Sequence, residues 1–142
     1  ESALPKDLER YRIPIAPDRM HDAIAFASLL FGESSTMAEE AAILGIPAFY
    51  LSSISTCYTS HLEDRYGLLI NFSQAASDQV RAVDKGMEFL QTPDVKSIWQ
   101  QNRENMLSER LDVTAYLIWF VENFPESFKT IRENPGFQYK FR

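Results

Sequence analysis

Between Leu29 and Leu51 two short apolar runs flank a strongly helix-forming segment, and that order leaves the chain few ways to fold. Leu29 to Gly32 (LLFG) is short and apolar, as suits a strand buried on both faces. Glu33-Ser34-Ser35 is polar, and Thr36 to Leu44 (TMAEEAAIL) favours helix. Thr36 with Glu39 three residues on fits a capping box, Gly45 stands where a helix ends, and Pro47 follows. Pro47 to Leu51 (PAFYL) reads as a second strand. Two strands joined through a helix have the size of a βαβ crossover, which makes the strands parallel.

The flanks extend the pattern. Tyr11 to Ile15 (YRIPI) reads as a short strand, with Pro14 pushing it to an edge. A helix over 19–28 follows, with Met20, Ala23, Ile24 and Ala27 inward. Residues 52–66 are polar without periodicity and read as a long loop, while Gly67 to Phe72 (GLLINF) is a fourth strand. Ser73 or Ser77 is placed to cap a helix reaching about Gln91, with Val80, Val83, Met87 and Leu90 inward. Helices over 95–107, 113–123 (capped by Asp112) and 125–134 complete the chain. The fold class is therefore α/β: a partial Rossmann-like parallel sheet of about four strands with a helical C-terminal tail. The expected division is a sheet-bearing part over 1–92 and a helical part over 93–142. Four strands are few for such a sheet, and the opening text, ESALPKDLERYRI, has no initiator Met. Both suggest a fragment whose further strands precede residue 1.

A net charge of −6 without a basic cluster argues against a nucleic-acid partner, though backbone amides can still hold a nucleotide's phosphates. The single cysteine, Cys57, rules out an internal disulfide and suggests a reducing, cytoplasmic setting. The longest apolar run, Ala115 to Val121, is too short to cross a membrane.

Two readings of the turn after Phe31 stand side by side. Free N–H groups where a helix begins at the end of a strand favour an anion. Ser34, Ser35 and Thr36 add hydroxyl donors, and Glu40, about a turn into the helix, can accept from a ribose diol. Equally, Ser-Ser-Thr can be a plain N-cap, and Glu39 and Glu40 a solvated face. The run is not a P-loop, lacking the Gly-Lys-Ser/Thr ending.

The stretch Phe31 to Leu51, FGESSTMAEEAAILGIPAFYL, resembles the signature of a glycosyltransferase-like family, domain of unknown function 354. Met20-His21-Asp22 with Ala25-Phe26-Ala27, Tyr66-Gly67-Leu68 and Leu111-Asp112-Val113-Thr114 agree with it. That family is similar to the two-domain UDP-GlcNAc epimerases and MurG-type transferases, so the resemblance implies the C-terminal half of a GT-B-like architecture. It implies that Ser34 and the Ser35/Thr36 backbone meet the diphosphate of a UDP-sugar and that Glu40 holds the ribose. It also implies that Ile15, Ala16 and Met20 line the uracil. The epimerases and MurG carry glycine where this chain has Ser35 or Thr36, which narrows the room for a diphosphate. The alternative is thus a non-catalytic, degenerate binding or oligomerisation module of the same fold. Any catalytic base is expected from a missing N-terminal domain, so no catalytic residue is assigned, and no metal or redox cofactor is implied.

Elsewhere, His21 reads as a surface or capping residue or a phosphate contact. His61 near Glu63 and Asp64 reads as a mobile-loop histidine, a general base or a metal ligand. Trp99, Tyr116, Trp119 and Phe120 read as core or interface, with self-association into a homo-oligomer if they are exposed.

Overall fold

The computed structural model describes residues 4–142 and is an α/β protein with a small parallel sheet. Strands β1 (Leu30–Gly32), β2 (Ala48–Leu51) and β3 (Ile70–Phe72) lie in the order β1-β2-β3, with Phe31 opposite Phe49 and Tyr50 opposite Asn71. Helices α1 (Met20–Phe26), α2 (Ser35–Leu44), α3 (Cys57–Tyr66), α4 (Ala76–Gln91), α5 (Val95–Ser108), α6 (Val113–Glu122) and α7 (Glu126–Glu133) complete it, with 3₁₀ turns at Glu9–Tyr11, Pro17–Arg19 and Pro135–Phe141.

The β1–α2–β2 crossover forms as its sequence dictates. Gly45 closes α2 in the left-handed region (φ 73°), and its amide donates to the carbonyls near the helix end. Ala38, Ala41 and Ala42 are fully buried, letting α2 lie close against the sheet beside α1, α3 and α5. The opposite face is a cluster of Phe49, Leu51, Phe72 and Ala82 beneath α4. At Gly86 a Cβ would lie 3.3 Å from the Leu29 side chain, so glycine lets α4 settle onto the strands.

Several expectations are corrected. Residues 11–15 form no strand: a 3₁₀ turn ends at Tyr11 and the chain runs on without sheet partners, so the described sheet has three strands. Pro14 offers no amide to a ladder. The strand at 29–32 is not covered on both faces, since Phe31 stays 45% exposed where α4 lies over β2 and β3. The long polar loop is largely helix α3. Thr56 accepts the Thr59 amide at 3.2 Å, and Gly67 (φ 61°) terminates the helix. Its buried face is only Thr59 and Leu62, too thin an apolar stripe to show as periodicity. Leu68 and Leu69, read as strand, are buried connectors before Ile70. Neither serine caps α4: Ala75 holds that position, and Ser73 instead donates to Asp78 Oδ2 at 2.6 Å. Val80, Val83, Met87 and Leu90 do not face inward; all are more than half exposed, and α4 buries Ala82 and Gly86.

Beyond residue 92 the chain does not leave the sheet layer at once. Helix α5 packs on α2 and α3, and Trp99 is in the core with its indole N–H donating to the Leu68 carbonyl at 3.0 Å. Helices α6 and α7 and the last 3₁₀ turn pack chiefly on one another. Tyr116 and Trp119 turn toward Phe141, and Trp119 also toward Phe137, with Phe120 against both of them, leaving the aliphatic Val113, Leu117, Ile118 and Val121 outward. Among the described residues, no helix is long and apolar enough to cross a membrane.

Candidate functional site

The turn from Gly32 to Ser35 leaves the C-terminal end of β1 and enters α2, the position at which parallel sheets present helix N-termini. Ser34, not Thr36, is the N-cap: its Oγ accepts the Met37 amide at 3.3 Å and its carbonyl accepts the Ala38 amide at 3.0 Å. The expected capping box therefore does not form. With Ser34 as cap, the third helical position is Met37, which has no carboxylate to return the bond. Among the described residues no acceptor meets the amides of Ser35 and Thr36. Ser34 and Thr36 are exposed and Ser35 half-buried, so those two amides sit in an open turn.

One turn and about 6 Å of rise beyond Thr36, Glu40 lies on the same side of α2. Its carboxylate is one-third exposed and reaches the α1 side, with Oε1 3.3 Å from His21 Nε2. Glu39, one residue earlier, points to the other side of the helix. There it lines a cleft of about 600 Å³ with Ile43, Tyr58, His61, Met106 and Arg110. The adjacent acids thus separate into two environments because successive residues on a helix are about 100° apart.

The other site residues are scattered around α1. Met20, half-buried, packs on the core behind α2. Ala16 is exposed, its carbonyl accepting the Arg19 amide at 2.8 Å, and Ile15 is exposed beside it. The structure brings His21 to Glu40, a contact that sequence spacing does not reveal because the two lie on different helices.

His61 does not join Glu63 and Asp64 in an acid–base set. Glu63 takes both the backbone and side-chain N–H groups of Asn71. His61 Nε2 lies 3.0 Å from Arg110, whose guanidinium can only donate, so this nitrogen is the acceptor. A depression of about 510 Å³ gathers His61, Arg65, Tyr66, Glu109, Arg110 and Arg142. Within it Glu109 accepts from Arg65 at 2.7 Å and from the Tyr66 hydroxyl at 2.8 Å. The bond from Arg65, then that from Tyr66, holds the Glu109 carboxyl below its ordinary value, and Glu109 in turn raises Arg65. Sequence reading missed this group because it treated α3 as loop, and His61 and Arg65 share a face only if that segment is helical.

In comparison with known proteins, no family model, curated protein or solved structure matches the chain. Fold and site together define an α/β protein with an open helix N-terminus beside a carboxylate.

Proposed function

We propose that this chain binds a nucleotide sugar of the UDP-sugar kind at the turn after β1, as the C-terminal, sugar-nucleotide-holding part of a glycosyltransferase- or epimerase-like protein. The observation that carries this reading is the pair of unpartnered amides at Ser35 and Thr36, with Glu40 one turn behind them. The amides and the positive end of the α2 dipole suit a diphosphate, and the Ser34 hydroxyl retains a hydrogen to donate while its oxygen caps Met37. The two oxygens of Glu40 suit two ribose hydroxyls, and His21 orients them from α1. The resemblance of residues 31–51 supplies the choice of UDP-sugar over other anions. Binding would orient the donor and stabilise the departing diphosphate. The side chains of half-buried Ser35 and exposed Thr36, where glycine would leave more room, favour the second reading: a binding module that keeps the fold without catalysis.

Calorimetric titration with UDP, UDP-N-acetylglucosamine and uridine tests both. Saturable heat with the two diphosphates, none with uridine, and loss of at least tenfold in affinity (about 1.4 kcal/mol) in Glu40→Ala support the site. Absence of heat at millimolar UDP overturns it. Binding without turnover of any acceptor selects the module.

A further inference from the structure

Two hollows meet at His61, Glu109 and Arg110. The larger, the cleft of about 600 Å³, is mostly apolar: Leu62 and Met106 in its lining are buried, while Ile43, Leu107 and Val113 stay exposed around it. The adjoining depression of about 510 Å³ is its charged end, where Arg65, Arg110 and Arg142 gather with a single carboxylate, Glu109. This local excess of positive charge stands in a chain of net charge −6. Glu109 is already engaged by Arg65 and the Tyr66 hydroxyl. Arg110 and Arg142 form no ion pair among the described residues. Arg110 is nonetheless held in place. It donates to His61 Nε2 at 3.0 Å, and its guanidinium lies 5.5 Å from the centre of the Tyr66 ring. Arg65 lies at the same distance from that ring, so two like charges share one aromatic side chain, and a bound anion relieves their repulsion. Glu39, the other carboxylate of the cleft, does not border the depression, which directs an anionic head to Arg110.

We propose that this cleft binds a small amphiphile, with an apolar body along Ile43, Leu62 and Met106 and an oxyanion head, carboxylate or phosphate, held by Arg110 and Arg142. The two halves of the site select the occupant together. A neutral apolar molecule leaves the arginines without a counter-charge, and a bare anion leaves the apolar lining in water. A cleft of several hundred Å³ with an apolar lining and a few convergent polar groups is how small-molecule sites are built. A guanidinium fork takes either oxyanion through paired hydrogen bonds. The lining residues belong to α2, α3, the end of α5 and the link into α6, and none to a strand, so the cleft is lined by this chain whatever extends the sheet. It is separate from the turn at Ser34 and does not depend on nucleotide binding.

The test is methyl NMR of the full chain titrated with octanoate and with octyl phosphate. The controls are 1-octanol, which keeps the body without the charge, and acetate, which keeps the head without the body. Saturable shifts at the Leu62 and Met106 methyls are expected with the anionic amphiphiles at millimolar concentration, and the tighter of the two identifies the head that the arginines select. Octanol and acetate should each bind at least about tenfold more weakly. Arg110→Gln should weaken the tighter anion about tenfold and leave octanol unchanged, whereas Ile43→Gln should weaken every alkyl probe. Both residues are exposed, and unaltered Phe49 resonances establish that the variants are folded. UDP should not displace the amphiphile. Absence of saturable shifts, octanol binding as tightly as the anions, or full binding in either variant overturns the proposal. Displacement by UDP also overturns it, by making the arginines a nucleotide contact.

Discussion

At Gly45 two constraints coincide in one residue. The backbone is left-handed, and a Cβ there would lie 2.6 Å from Gln100 Nε2, which donates to the carbonyls of Leu44 and Gly45 at 3.1 Å each. Gly45→Ala therefore brings both the left-handed penalty and disruption of the Gln100 bonds, together about 2 kcal/mol. Gly67 is also left-handed, but its added Cβ meets only Asn102 at 3.3 Å, and Gly67→Ala should cost about 1 kcal/mol. Urea unfolding of the two variants compares them, and equal losses would refute the role given to Gln100. Glu109 makes a pH prediction. Its folded-state pKa is depressed, so the stability it contributes is present above the ordinary glutamate value of about 4.3 and lost as pH falls through its depressed value. The thermal stability of the wild type relative to Glu109→Gln should be constant from about pH 5 to 7 and shrink toward pH 3. A difference that grows on acidification would contradict this assignment. Gly45 was legible as helix punctuation because a left-handed C-cap acts on neighbours in sequence, whereas the N-cap fell on Ser34 and not on Thr36, since three adjacent hydroxyl residues all suit a cap. The His21–Glu40 and Arg65–Glu109 contacts were not legible, because each joins side chains on different elements.

Among the elements, α4 separates pattern from placement. Its helical periodicity was correct, but the residues it nominates for the core are exposed. Small Ala82 and Gly86 face the strands because they allow close approach, and an apolar stripe cannot say which neighbour it awaits. Substitution should reproduce the division. Phe49→Ala, removing a fully buried ring that meets Phe31, Phe72 and Phe89, should cost about 3–5 kcal/mol. Met87→Lys should stay within about 0.5 kcal/mol of wild type. Guanidinium unfolding measures both, and a large loss at Met87 would place it in the core after all. Helix α3 is the converse case. Its ends are set by Thr56 and Gly67, but its middle buries a threonine where an apolar residue would have shown the period.

Across the whole molecule, the sheet layer and the C-terminal helices are held by different means. Alanine-lined close packing binds α2 to β1 and β2. The tail is knit by Trp119 against Phe137 and Phe141 at 4.8 and 5.4 Å, and by the Asp112 amide donating to the Phe141 carbonyl at 2.6 Å. Trp119→Ala should accordingly raise hydrogen exchange across α6 and α7 while leaving the β2 amides protected. Equal acceleration in β2 would show that the two parts unfold together. By itself the sequence determined the β1–α2–β2 crossover, the helix ends at Gly45 and Asp112, and the α/β class, because caps, glycine conformation and residue period act within a few positions of the chain. The tertiary structure alone decided that residues 11–15 stay out of the sheet, that α4 turns its small residues inward, and that Glu40 meets His21. Those outcomes turn on which surfaces meet across the chain, and competition among distant apolar faces leaves no local mark in the order of residues.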